Sequence, residues 1–205
     1  MDLVLASSST YRARVLREAG YRVTTVAPDV DERSFDHLLA ERGAEALALE
    51  LAERKLRSVL DRVPATATVL AADQVGVLGT SRGPVLLTKA ADAPAACRQL
   101  RGLSGTTHLL HNGLVVARGD RTVTGLDTQA VTFRELADDE IHDYVERFRP
   151  FDTAGSYRLE DDRVRGGRPF VVGVEGEDPS GVLGLPLPLL RRMLTTIDGG
   201  APTTP

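Results

Sequence analysis

The chain has 205 residues, a length that suits one domain or two small lobes sharing a core. Its 42% hydrophobic and 26% charged residues can build a packed interior, which excludes wholesale disorder. A formal charge of −4 argues against a protein that coats long nucleic acid, although a few local basic groups could still receive a small anion.

Leu3–Ala6 is a short apolar run followed at once by Ser7-Ser8-Ser9-Thr10. Tyr11–Ala19 then carries Val15, Leu16 and Ala19 at helical spacing and stops at Gly20, so the spacing predicts strand, hydroxyl-rich turn and helix. Tyr21–Val26 alternates as a second strand. Ala44–Leu60 has the apolar stripe of a long amphipathic helix. Thr68–Ala72 reads as a buried strand ended by Asp73, and Ala91–Leu103 as a helix. Thr107–Ala117 and Thr122–Phe133 form a hairpin about Arg118-Gly119-Asp120-Arg121. Asp138–Arg147 is a predicted helix, Pro169–Val174 a strand and Leu187–Leu194 a final helix. Strands alternating with helices, with a hairpin in the middle, predict an α/β fold with a mixed sheet. Residues 1–196 are expected to form one domain and 197–205 a polar tail. With no tryptophan and few aromatics, the core is expected to rest on Ala, Val and Leu.

Cys97 is the only cysteine, so no intrachain disulfide can form; within a helical stretch it reads as a buried structural residue. The opening apolar run is too short for a signal sequence, and no stretch approaches the ~20 residues of a membrane span. The expected location is the cytoplasm, with no membrane partner.

Three features could carry chemistry. The serine turn, with Arg12 one turn inside the helix, could cradle phosphate, since a helix N-terminus attracts anions. It could equally be a plain N-cap beside a solvated arginine. Asp73 closes an apolar strand, and Asp29, Asp31 and Glu32 follow another strand end. A carboxylate pair drawn from these ends could hold a hard divalent cation, or the loop acids could simply be solvated. Lysine occurs only at positions 55 and 89 among many arginines, which suggests a use for a compact point charge. Histidine offers no obvious metal pair, because His108 and His111 are expected on opposite faces of a strand. No Gly-x-Ser-x-Gly elbow supports a serine hydrolase.

Leu5-Ala6-Ser7-Ser8-Ser9-Thr10-Tyr11-Arg12, Val30-Asp31-Glu32, Leu51-Ala52-Glu53-Arg54-Lys55, Ala72-Asp73-Gln74-Val75, Leu103-Ser104-Gly105, Asp152-Thr153-Ala154-Gly155-Ser156-Tyr157 and Gly184-Leu185-Pro186-Leu187 stand in the order found in Maf-type nucleotide pyrophosphatases. The resemblance covers residues 3 to 194. It implies a two-lobed α/β fold with a cleft, similar to the inosine triphosphate pyrophosphatases, a possible homodimer, and Mg²⁺- or Mn²⁺-dependent hydrolysis of nucleoside triphosphates. By the same resemblance Asp73 is the catalytic acid and a metal ligand, and Glu32 helps hold metal. Lys55 and Lys89 serve catalysis, while Ser7, Ser9 and Arg12 surround the triphosphate.

Family branches differ at the positions of Tyr11, Gln74 and Glu160. The resemblance places Arg, Thr and Gln there in the dTTP/UTP branch, and Trp, Gln and Glu in the 7-methyl-GTP branch. This chain is thus similar to the latter, with dTTP/UTP hydrolysis, or a nucleotide-binding regulator of cell division, as alternatives. An aromatic at position 11 could stack on a cationic purine, or could pack on its own helix. The chain departs from the family pattern at Thr10, at Thr88-Lys89-Ala90 after an expected longer Gly79–Leu87 loop, and at Asn112.

Overall fold

The structure is a computed structural model and describes residues 1–159, 161 and 168–199. Its strands are β1 (Asp2–Ala6), β2 (Arg22–Val26), β3 (Val69–Thr80), β4 (Gly83–Leu87), β5 (Thr107–Arg118), β6 (Arg121–Phe133) and β7 (Val171–Glu175). The helices are α1 (Thr10–Glu18), α2 (Leu38–Arg57), α3 (Ala93–Leu103), α4 (Asp138–Phe148) and α5 (Leu187–Ile197). The strands join in one sheet ordered β2-β1-β3-β5-β6-β7, with β4 paired to β3. It is mixed: β1 runs parallel to β2 and β3, whereas β3–β4 and β6–β7 are antiparallel.

Two compact units share the chain in alternating segments. Among the described residues the first holds 1–75, 111–128 and 176–199, and its core follows the strand period of two. Leu70 and Ala72 of β3, with Leu114 and Val116 of β5, meet Ala13, Val15 and Leu16 of α1 and Leu190, Met193, Leu194 and Ile197 of α5. The intervening residues Val69, Ala71, Val115 and Ala117 face Ala52 and Leu56 of α2 and Val59 just beyond it. Each strand residue is thereby assigned a face by its parity.

The second unit holds residues 76–110 and 129–175. Here the expected aliphatic core gives way to aromatics. Phe133 stands 4.9 Å from Tyr157 and 6.3 Å from Phe170 between ring centroids, and Tyr144 lies 5.0 Å from Phe170. A small unit has few positions to bury, and each ring covers far more area than Val or Ala. Cys97 is buried on α3. Asp92 caps that helix by accepting from the Ala95 amide at 2.8 Å.

Several boundaries differ from the sequence reading. α2 begins at Leu38, because it joins two helical pieces across Gly43 (φ 85°). The Gly79–Leu87 stretch is no extended loop: β3 continues to Thr80 and turns into β4, with Gly76–Thr80 paired to Gly83–Leu87. Thr80 closes the turn, its hydroxyl donating to Gly83 O at 2.7 Å and accepting from the Arg82 amide at 3.2 Å. Among the described residues no helix is long and apolar enough to cross a membrane. Glu160 and residues 200–205 of the expected tail lie outside the described residues.

His108, fully buried on β5, shares a 2.8 Å hydrogen bond between its Nε2 and Tyr157 Oη. Burial lowers its pKa from 6.5 to about 4. In that window the unfolded chain binds a proton that the native one refuses, so stability is full above pH 6.5 and falls as pH drops towards 4. The full loss is roughly 3 kcal/mol. Thermal melts between pH 4 and 7 should show this slope, and His108→Gln should flatten it. His111, also lowered by burial, supplies a residual slope of the same sign.

Candidate active site

The first unit brings four of the sequence-derived residues together. β1 ends at Ala6 while its parallel neighbour β3 runs on, so Asp73 lies in mid-strand just past the carboxyl end of β1. This corrects the expectation that Asp73 ends its strand; the β4 pairing carries β3 onward. Its odd position turns the carboxylate towards α2, where Ala52, Lys55 and Leu56 share one helical stripe. Lys55 and Asp73 are 6% and 5% exposed, and the ammonium is hydrogen-bonded to Asp73 Oδ1. The same Nζ lies 2.7 Å from Glu32 Oε1, whose side chain is half exposed at the start of a 3₁₀ turn.

Arg12 completes the group electrostatically. Desolvation lowers its pKa, while attraction to Asp73 and Glu32 opposes the shift. Its Nε donates to Gly184 O at 3.0 Å. Gly184 has φ 78°, and a Cβ there would stand 3.2 Å from Arg12 Nη2, so both backbone and space call for glycine. The Gly184-Leu185-Pro186-Leu187 signature thus anchors Arg12 before α5 begins. Burial raises the pKa of Asp73, against the pull of Lys55 and Arg12.

The serine turn has much of its polarity in use. Ser9 Oγ accepts from the Arg12 amide at 3.3 Å as the N-cap of α1, and Ser7 Oγ accepts from the Ser9 amide at 3.1 Å. Ser7 is buried and Ser8 exposed. The cap of the plain reading is therefore made, but Arg12 is partly buried and hydrogen-bonded to Gly184 O rather than solvated. Asp29 and Asp31 are exposed.

Gln74 faces away from Asp73, on the α5 side. Its Nε2 donates to Asn112 Oδ1 at 3.0 Å, Gly181 O at 3.1 Å and Val182 O at 3.2 Å. Asn112 Nδ2 donates in turn to Asp127 Oδ2 and Gly181 O, each at 2.9 Å. Tyr11 packs against the α1–α5 core, with the Arg14 guanidinium 4.4 Å above its ring. Lys89 is not among these residues. It is exposed in the second unit, where it bridges Ala154 and where the Gly155 amide donates to Thr88 O at 3.3 Å. The Asp152–Tyr157 motif thus braces the Lys89 segment and, through Tyr157, His108.

Sequence reasoning missed Asp127, whose only mark was an acid in the alternating β6 run Leu126-Asp127-Thr128-Gln129. Among the described residues no three His, Cys, Asp or Glu side chains converge as a metal cluster. The donor chemistry still suits Mg²⁺ or Mn²⁺: two carboxylates meet at one cationic centre, and Mg²⁺ commonly takes one or two carboxylates with water and phosphate oxygens completing its shell.

Residues 2–197 match the family described as "Maf-like protein". The chain belongs to the Maf family. It is 36% identical to a protein of Nitrosococcus oceani named "7-methyl-GTP pyrophosphatase", over 94% of this chain and 91% of that one. It is also 36% identical to the "dTTP/UTP pyrophosphatase" of Moorella thermoacetica, over 94% and 93% of the two chains. With the Myxococcus xanthus protein of the same name it shares 40% over 90% and 87%. The solved Staphylococcus aureus Ham1 protein aligns with 67% of this chain and 73% of its own, at 17% identity and a TM-score of 0.39, too loosely to carry weight.

Proposed function

We propose that this Maf protein is a nucleoside triphosphate pyrophosphatase that cuts between the α and β phosphates, with 7-methyl-GTP as its preferred substrate. The observation that carries the reading is the buried Asp73, held between the Lys55 ammonium and the field of Arg12 at the end of β1. The names of the relatives from Nitrosococcus oceani and Moorella thermoacetica support the activity class.

In this reading Asp73 takes a proton from the attacking water. The water oxygen forms the new bond to the α phosphorus, and the bond from that phosphorus to the α–β bridging oxygen breaks, releasing monophosphate and pyrophosphate. Lys55 and Arg12 balance charge on the phosphoryl oxygens, and the positive end of the α1 dipole favours the anion. Asp73 and Glu32 would hold a divalent cation, which would supply Lewis-acid charge at the phosphates. Burial raises the pKa of Asp73, which favours its acceptance of a proton. Lys89 and Glu160 are proposed as further contacts to phosphate and base, on the family resemblance.

The base assignment rests on Gln74 with Tyr11. Stacking on a methylated purine requires Arg14 to leave the Tyr11 ring, where it now makes the cation–π contact that a 7-methylguanine would make. A panel of 7-methyl-GTP, GTP, dTTP, UTP, CTP and ATP with Mg²⁺, its products resolved by ³¹P NMR, tests both levels. Monophosphate and pyrophosphate, fastest from 7-methyl-GTP, are expected. The same products fastest from dTTP or UTP would overturn the base assignment alone, and no turnover of any member would overturn the enzyme.

A further inference from the structure

Resting on that reading, we infer that Asp127 and Asn112 are positioning residues that lock the Gln74 amide so that its Oε1, not its Nε2, is offered to the nucleobase.

The inference follows from donors and acceptors alone. An ionised carboxylate and a backbone carbonyl can only accept. Asp127 Oδ2 and Gly181 O both lie 2.9 Å from one end of the Asn112 amide, so that end must be the nitrogen. Asn112 Oδ1 is then the atom turned towards Gln74. The Gln74 atom that meets Asn112 Oδ1, Gly181 O and Val182 O at 3.0–3.2 Å faces three acceptors and must likewise be nitrogen. Two N–H groups shared among three acceptors leave no donor over. Flipping either amide would set oxygen against carbonyl oxygen. The order Asp127, Asn112, Gln74 therefore transmits one choice of polarity from β6 through β5 to β3, and Asp127 and Asn112 are both buried.

The strand pattern places the relay where it can act. Gln74 and Asn112 occupy even positions of β3 and β5, on the face that packs α1 and α5, while Asp73 at the odd position faces Lys55. A glutamine next in sequence to the reacting acid, with its carbonyl oxygen left as its only ligand-directed group, selects bases that present a ring N–H. Guanine and 7-methylguanine carry one at N1, and uracil and thymine carry one at N3. Adenine and cytosine offer a bare ring nitrogen at the equivalent place and would set acceptor against acceptor.

Equilibrium binding of α,β-methylene GTP and α,β-methylene ATP, which cannot be cut at that bond, tests the relay apart from catalysis. The wild-type protein should prefer the guanine analogue. Asp127→Asn removes the carboxylate acceptor and leaves Gly181 O alone to orient the Asn112 amide, so the GTP:ATP affinity ratio should fall by up to about tenfold, the worth of about one hydrogen bond. With hydrolysable GTP and ATP the same variant should shift the KM ratio more than the kcat ratio. A ratio unchanged in Asp127→Asn and in Asn112→Leu would overturn the inference. Should both variants fail to fold, the ¹H–¹⁵N signals of the wild-type Gln74 side chain decide. Slow solvent exchange with little shift on adding nucleotide is expected, and a large shift of the Nε2 protons would overturn the relay. Base-selective binding without hydrolysis would sink the pyrophosphatase reading and leave the relay standing, whereas failure to bind any nucleotide would overturn both.

Discussion

Asp73→Asn is expected to lower turnover by about 10²–10⁴-fold, the usual contribution of a positioned base, while the protein keeps its fold. The asymmetry of the ion pair explains the second half of that expectation. With Asp73 neutral, Lys55 still has Glu32 at 2.7 Å, and the new amide oxygen can accept from Nζ. Lys55→Met should behave differently. It leaves a carboxylate only 5% exposed without its hydrogen-bonded cation, and stranding a buried charge costs about 3–5 kcal/mol. Thermal melts alongside pyrophosphate release separate the two variants. An inactive, stable Asp73→Asn beside a destabilised Lys55→Met is the expected pattern. An Asp73→Asn protein with wild-type turnover would remove this residue from the chemistry.

A comparable loss of stability is expected at Gly113. It occupies an odd position of β5, on the face that meets α2, and a Cβ there would stand 2.4 Å from the carbonyl carbon and oxygen of Ala48 and 2.6 Å from the Leu49 nitrogen. The obstacle is helix backbone, which cannot rotate aside, so the strand and α2 must separate. Overpacking a core usually costs about 1–3 kcal/mol; Gly113→Ala should cost roughly 3 kcal/mol or more. For a chain of this size that is a fall in melting temperature of about 6–12 °C. Gly79→Ala is the control, since nothing lies within 4 Å of a Cβ there, and it should change stability by less than about 0.5 kcal/mol. Because Lys55 lies two turns beyond Ala48 on α2, turnover should decline in Gly113→Ala as well.

These two positions show what a sequence reveals and what it hides. The helices and strands were legible because apolar spacing encodes them locally: α1, α3, α4, β5 and β6 lie within a few residues of their predicted bounds. Asp73, Lys55, Glu32 and Arg12 were legible as candidates, and the structure gathers them in one unit. Two lobes were expected, but their boundaries were not legible, because the chain passes between the units inside β3, β5 and β6, where no linker composition interrupts the strand. The mid-strand place of Asp73 was hidden by the β3–β4 hairpin, whose turn residues Thr80-Ser81-Arg82-Gly83 lack the usual Asn-Gly signal. Gly113 and Asp127 owe their importance to residues far off in the chain, Ala48 and Asn112 among them. No local pattern announces such meetings.

The pairing of Lys55 with Asp73 and Glu32 has a consequence for how the protein lives without metal. Two acids and two cations, Lys55 and Arg12, leave this corner of the protein close to electroneutral by its own means. Carboxylates that relied on an imported ion would repel one another once it was stripped away, and the fold would loosen with them. Here a tethered ammonium stands in permanently, so chelation should silence the enzyme and leave its architecture intact. The protein carries its own ballast.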